Sequence, residues 1–271
     1  MKVIVIIQAR MGSTRLPDKV LMDINGKPML WHVIDRVKRC ENIEQIVVAT
    51  TEQEEDKAII ELAKSCGVAT FSGSENDVLD RYYKAAKKFN ADIIVRITAD
   101  CPLIDPLIIN DVVNHLKKNI NKLEYVCTSP SFPDGVDTEA FTFYALEKTW
   151  KEAKMKYERE HVSIYMRENS KKFNVAHIDY NKDMSYVCLS VDRLEDLTVV
   201  KEIYKYLYKK GRIFFLKDIL DLLEEKPELL KINKHSIRNE GLLRSLIEEG
   251  INIKNPKPSL KKYIDKFVGK K

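Results

Sequence analysis

The chain has 271 residues, 44% apolar and 32% charged, enough for one large α/β domain or a domain with an appendage and too apolar for wholesale disorder. Its 46 cations and 41 anions leave a net charge of only +5, and without a basic stripe a nucleic-acid partner is not indicated. Five scattered cysteines with no CxxC pair, and no run near the roughly 20 apolar residues of a membrane span, argue against a disulfide framework, a zinc ribbon and a bilayer segment.

Residues 3 to 7 (VIVII) read as a strand buried on both faces, as in a parallel sheet. The opening "MKVIVIIQAR" is too short for a signal peptide, so a reducing, cytoplasmic setting is expected. A turn at "NGKP" places Pro28 in the first turn of a helix to about Cys40, and "EQIVVAT" is a second buried strand. A helix follows from 52 to 67, acidic at its start and closed by Gly67. "VATF" is a third strand, and "NDVLDRYYKAAKKFN" a helix capped by Asn76 or Asp77. "ADIIVRITADCPL" (91–103) is a fourth strand, followed by a helix with Asp105 as cap and Pro106 at its first position.

This alternation predicts a doubly wound, mostly parallel α/β sheet, whose ligands bind beyond the carboxyl ends of the strands. The second half is less regular. Strands are expected at "EYVCTS", "GVDTEAFTFYAL" and "SYVCLSVD" (185–192), with helices at 144–169, at 195–209 and in the later segments; the Lys/Pro-rich tail from Asn255 is expected to fray. No linker divides the chain, so one domain with a helical C-terminal extension is expected.

Two features fall at the predicted ligand edge. "QARMGSTRLPDK" joins small residues (Gly12, Ser13) that permit close approach to three cations (Arg10, Arg15, Lys19), as a polyphosphate requires; a solvated basic loop has the same composition. It has neither the Rossmann glycine pattern nor a P-loop. Asp100 and Asp192 each close an apolar strand, which is costly unless the carboxylate is paired, caps a helix or meets a cation. Each alone serves as well as a cap or a turn; beside a cationic loop the two read as Mg²⁺ ligands facing a nucleotide.

"QARMGSTRLPDKVLMDINGKPML" closely resembles the opening motif of the cytidylyltransferases that activate acidic sugars, the KDO and acylneuraminate synthetases. "GSENDVLDRYYKAA", "RITADCPLIDP", "DGVDTEAF", "EREHV" and "SVDRLEDL" follow in the order of the subgroup named for spore coat polysaccharide biosynthesis protein F, and the resemblance spans roughly residues 1–235. It implies a Rossmann-like nucleotidyltransferase domain over 1–210, with 125–180 as acceptor-binding and dimerisation segment, and a helical extension over 211–271. It further implies that Arg10, Ser13, Arg15 and Lys19 hold a triphosphate, that Ala9 and Gly12 pack near base or phosphate, and that Asp80 and Arg81 are a nucleotide-side pair. Thr98 then falls on a nucleotide-binding position, and Asp100 and Asp192 match the family's metal ligands. The chain departs from the KDO enzymes at Thr98-Ala99, where they have Gln-Gly, and at Cys101, which replaces an acidic residue.

The implied reaction is nucleotidyl transfer: a hydroxyl of an acidic or amino sugar, or an oxygen of its phosphate, attacks the α-phosphorus of CTP and pyrophosphate leaves. Arg15 and Lys19 would stabilise the pyrophosphate, Asp100 and Asp192 would hold Mg²⁺, and the enzyme would be a homodimer. For the acceptor, Asp137 and Glu139 lie two apart on one predicted strand, Arg159 suits a carboxylate, and His161 suits binding or proton relay; surface charge and a salt-bridged helix start account equally for these four. Two other readings keep the fold: a nucleotide-sugar glycosyltransferase, disfavoured because neither strand end carries a DxD motif, and a non-catalytic nucleotide-binding module, disfavoured because Lys19, Asp100 and Asp192 are all kept.

Overall fold

The first strand requires cover on both faces. In β1 (Val3–Gln8), Val3, Val5 and Ile7 enter one core while Ile4 and Ile6 enter another, and all five are fully buried. The structure is a computed structural model that describes residues 1–253. After β1 come a short hairpin, β2 (Asp23–Ile24) and β3 (Lys27–Pro28), then α1 (Met29–Val37), β4 (Gln45–Thr51), α2 (Lys57–Ser65), β5 (Ala69–Gly73), α3 (Val78–Lys88), β6 (Ile93–Thr98) and α4 (Pro106–Lys118). Pro28 closes β3 and caps α1 instead of entering its first turn. Asp77 caps α3 by accepting from the Asp80 N–H at 2.9 Å, and Asp105 caps α4 by accepting from Leu107 N–H at 2.8 Å.

The second half holds β7 (Tyr125–Thr128), β8 (Glu139–Thr142), α5 (Phe143–Glu152), α6 (Lys156–Glu160), α7 (Ile164–Glu168), β9 (Val175–Ile178), α8 (Leu194–Leu207), α9 (Leu216–Glu225), α10 (Leu229–Ile232) and α11 (Glu240–Glu248). The helix expected over 144–169 is three helices, because Ala153 turns extended and Val162 takes a left-handed φ of 53°. The strand expected at 185–192 is not a strand. Val187, Leu189 and Val191 are buried and alternate, but their backbone bonds go to Asp134 and Asp100 in loops rather than to a ladder. An extended segment pinned to loops produces the same period-two burial. β9 was not anticipated.

The sheet runs β5-β4-β1-β6-β8-β7-β9. β5, β4, β1 and β6 are parallel, β8 is antiparallel to both its neighbours, and β9 is parallel to β7. The chain leaves β1 toward β4 and β5, then returns to place β6 on β1's other side. The crevice between β1 and β6 is therefore the switch point of a doubly wound sheet, and Gln8 stands in register with Thr98 at its carboxyl end.

The extension is docked on this body. Leu216, Ile219 and Leu222 share a core with Ile24, Met29 and Tyr204, and the Arg36 guanidinium donates to the Phe214 carbonyl at 2.8 Å. Leu242 and Leu246 of α11 pack on Tyr157 and Ile164. The tail from Asn255 lies outside the described residues.

Candidate active site

The loop after β1 is fixed through its backbone, by the Asp56 carboxylate and by bonds of its own. Met11 N–H donates to Asp56 at 2.7 Å, and Asp56 is 1% exposed and also accepts from Thr51 N–H at 3.1 Å. Ser13 and Asp18 N–H groups both donate to the Met11 carbonyl, and Asp18 adopts φ 57°. The chain is thereby folded back so that Lys19, in a short 3-10 turn, points under the loop toward the sheet edge.

There Lys19 meets Asp100, just past β6, and Asp192, in the loop before α8. Its ammonium donates to Asp100 Oδ2 at 2.9 Å, to Asp192 Oδ1 at 2.8 Å and to the Val191 carbonyl at 2.7 Å. Arg15 Nη2 also reaches Asp192 Oδ1, at 2.6 Å. Ninety-two positions of chain separate the two aspartates; a backbone bond from Val191 N–H to the Asp100 carbonyl at 2.8 Å places them side by side. Burial works to raise the Asp100 carboxyl, but the Lys19 ammonium and the Thr98 hydroxyl more than offset it and hold the group well below the usual carboxylate range. Burial works to lower Lys19, but Asp100 and Asp192 outweigh it, so its pKa is raised. Lys19 and Asp100 are therefore both ionised near neutrality.

Two adjoining cavities open from this point. One, of about 210 Å³, is lined by Ala9, Arg10, Ser13, Arg15, Lys19, Val78 and Arg81; the other, of about 270 Å³, is lined by Arg96, Thr128, Asp134, Asp137, Glu139, His161, Arg167 and Arg238. Gln8, Arg15, Thr98, Asp100, Glu160, Asp192 and Gly241 line both, so the two are lobes of one cleft divided at the switch point. The first lobe is cationic. In the second, the arginines face carboxylates: Glu139 accepts from Arg96 at 3.3 Å, from Ser163 at 2.8 Å, from Tyr125 at 3.1 Å and from Arg167, while Arg238 donates to Asp137 and to the Phe132 carbonyl at 2.7 Å.

Arg10, Ser13, Arg15, Lys19, Arg81, Thr98, Asp100 and Asp192 all line the first lobe, with Ala9 buried at its floor. Gly12 lines neither lobe and is exposed at the outer bend, with open space where a Cβ would stand. Asp80 is not in the cleft: its carboxylate accepts from Trp150 Nε1 at 2.9 Å and Lys84 at 2.8 Å, tying α3 to α5. Arg159 is likewise turned away, donating to Asp77 at 2.7 Å and to the Trp150 and Ala153 carbonyls at 3.1 and 3.2 Å. Both expectations mistook charges that fasten helices to one another for ligand contacts. Asp137, Glu139 and His161 do line the second lobe. His161 bonds Ser245 Oγ at 3.0 Å, and burial together with the nearby Arg96 pushes its pKa down to about 3.

Sequence reasoning missed Arg96, Asp134, Arg167 and Arg238. Arg96 carried a signal, as a cation inside an apolar strand; the other three carried none. Asp134 is raised because it is buried beside Asp137, against the pull of Arg238 and Ser190.

The donor set suits a magnesium–triphosphate. Asp100 and Asp192 converge on one point, and among the described residues no group of three or more His, Cys, Asp and Glu could hold a metal by protein ligands alone. A cation here would complete its shell with phosphate oxygens and water, as Mg²⁺ does.

A switch-point cleft with a cationic loop after the first strand, facing one carboxylate just past β6 and a second from the loop before α8, defines an α/β nucleotidyltransferase. The family model for cytidylyltransferases matches residues 4–236. The chain is 40% identical over 237 residues to an uncharacterised protein of Methanocaldococcus jannaschii, covering 87% of this chain and 96% of that one. It is 26% identical over 232 residues to the spore coat polysaccharide biosynthesis protein SpsF of Bacillus subtilis, covering 83% and 95%. Among solved structures, a cytidylyltransferase from Leptospira borgpetersenii superposes with a TM-score of 0.81 at 37% identity, covering 89% and 98%. This chain belongs to the cytidylyltransferase family and is a CTP-dependent nucleotidyltransferase.

Proposed function

We propose that this enzyme transfers CMP from CTP to an acidic or amino sugar, or to its phosphate, releasing pyrophosphate, in the making of a surface polysaccharide. The observation that carries the reading is the Lys19 ammonium shared between Asp100 and Asp192 at the division of the two lobes. The cationic lobe suits the triphosphate, with Arg10, Ser13 and Arg15 on its β- and γ-phosphates. The second lobe, rich in forked donors and carboxylates, suits a polyhydroxylated acceptor. The relative named for spore coat polysaccharide biosynthesis supports the glycan setting.

Asp100 and Asp192 would hold Mg²⁺, which when bound neutralises charge on the phosphates. The chain's own residues do the rest. Lys19 and Arg15 meet the charge that develops on the leaving pyrophosphate, and the loop fixed by Asp56 holds the α-phosphorus in line with the second lobe. We further read the enzyme as a homodimer joined through the 125–180 segment.

Pyrophosphate release tests the proposal: each of the four NTPs is supplied with Mg²⁺, alone and with a panel of free sugar acids, amino sugars and sugar 1-phosphates. Release with CTP plus one sugar class is expected. Release with UTP or ATP in preference to CTP, or none with any sugar, rejects it.

A further inference from the structure

We propose that Gln8 positions the attacking hydroxyl of the acceptor, its side-chain carbonyl accepting the hydrogen bond that aims the oxygen at the α-phosphorus. The inference rests on the transfer reaction proposed above.

Gln8 is the last residue of β1, and with Thr98 opposite it on β6 it forms the rim of the switch point. Its Oε1 is buried and has no hydrogen-bond partner. Buried polar atoms are almost always paired, so an orphaned acceptor on a cleft wall calls for a donor brought by a ligand. Which ligand follows from where Gln8 stands, since the residue lies on the wall shared by both lobes and thus at the boundary that the transferred group crosses.

The other residues of that boundary are already engaged. Arg15, Asp100 and Asp192 form the charged cluster around Lys19. Thr98 Oγ1 sits 3.2 Å from Cys101 Sγ and donates to Asp100, and Glu160 faces Arg10 at 3.9 Å. Gly241 has no side chain to offer. Among the described residues of the shared wall, Gln8 is left as the buried side-chain acceptor without a partner.

An amide carbonyl is far too weak a base to keep a proton, so its part is orientation. With the hydroxyl proton directed at Oε1, a lone pair of the same oxygen faces the first lobe. A new bond then forms from that oxygen to the α-phosphorus, and the bond from the α-phosphorus to the bridging oxygen breaks. The electron pair leaves on pyrophosphate, and the hydroxyl proton passes to pyrophosphate or water. A sugar phosphate would bring a bare oxyanion to this carbonyl, so the geometry favours a free hydroxyl as nucleophile and a product with one phosphorus between cytidine and sugar.

The test compares wild type with Gln8→Leu and Gln8→Met, which keep the bulk of the side chain and remove its carbonyl. CTP·Mg²⁺ binding is measured by calorimetry. Steady-state pyrophosphate release is measured with CTP and 3-deoxy-manno-octulosonate, N-acetylneuraminate, glucosamine and glucosamine 1-phosphate, and products are read by ³¹P NMR. The expected result is CTP affinity within twofold of wild type in both variants, kcat with the preferred sugar lowered tenfold or more, and a single phosphorus resonance in the wild-type product. Unchanged kcat in both variants overturns the assignment. So does a loss of CTP affinity in proportion to the loss of rate, which would make Gln8 a nucleotide contact, or a product with two coupled phosphorus resonances. Retained CTP binding in either variant shows that it folds. Wild-type enzyme that releases pyrophosphate with no sugar rejects the transfer reaction itself, a result separable from failure of the Gln8 variants alone.

Discussion

At Lys19 the charge balance of the cleft depends on one ammonium held between two carboxylates. Replacing it with methionine leaves Asp100 and Asp192 facing each other without their shared counter-ion and, on the proposed mechanism, removes a cation from the leaving group. Lys19→Met is therefore expected to lower kcat by about 10²- to 10³-fold, checked by steady-state pyrophosphate release at saturating CTP. His161 makes a prediction of the opposite kind, about stability. Its pKa falls to about 3 in the folded protein, against an ordinary value near 6.5 in the unfolded chain. The unfolded state then binds the extra proton first, so the contribution of His161 is complete above about pH 6.5 and is lost as pH falls from there toward 3. Between pH 7 and pH 5 the loss is up to about 2 kcal/mol, to be read from denaturant midpoints; His161→Gln is expected to flatten that slope. His32 is buried with its Nε2 against the Ile24 carbonyl at 2.6 Å, and burial lowers its pKa too, so it adds to the same acid-side loss.

Among the elements, the site depends on two loops that sit against backbone. Asp56 satisfies the N–H groups of Met11 and Thr51 from a fully buried position, so Asp56→Ala orphans both donors. The expected cost is about 2–3 kcal/mol of stability and a weakening of CTP binding, since the loop proposed to hold the phosphates is no longer fixed to the end of β4; thermal denaturation and CTP calorimetry read the two effects. Gly135 has φ 95°, and a Cβ there would lie 2.4 Å from the Ser190 nitrogen and 2.5 Å from the Leu189 carbonyl carbon. Backbone cannot move aside as a side-chain tip can, so Gly135→Ala should push the 187–191 segment away from Asp134 and carry Asp192 with it. Loss of at least about 1–2 kcal/mol, with CTP·Mg²⁺ affinity falling alongside, is the expected result in the same two assays.

These elements also show what the sequence could and could not tell. The four parallel strands and their helices were legible because each carries its own period, cap or terminal turn within a dozen residues. The cationic loop and Asp100 were legible because both sit where a buried strand ends. Residues 185–192 were misread because Val187, Leu189 and Val191 alternate as a strand does while bonding to loops. The second lobe was hidden for a different reason. Arg238 reaches Asp137 across 101 positions and Arg96 reaches Glu139 across 43, and no local pattern marks partners brought together only by the finished fold. Asp80 and Arg159 misled because a charge used to fasten α3 to its neighbours looks, in sequence, like a charge kept for a ligand.

For the whole molecule, the proposed function requires that residues near positions 15, 100 and 192 act on one magnesium–triphosphate. The sheet order makes that possible, since β1 and β6 are neighbours and Val191 is hydrogen-bonded across to Asp100. The docked extension then walls the far side of the cleft with Arg238 and Gly241. Calorimetric titration of CTP with and without Mg²⁺, on wild type and on Asp100→Asn and Asp192→Asn, tests the convergence most directly. Wild-type affinity is expected to rise with Mg²⁺, and each single substitution, although the two lie ninety-two positions apart, is expected to abolish most of that rise. If Asp192→Asn keeps the full Mg²⁺ dependence while Asp100→Asn loses it, or if both keep it, the two carboxylates do not share an ion and the account is wrong.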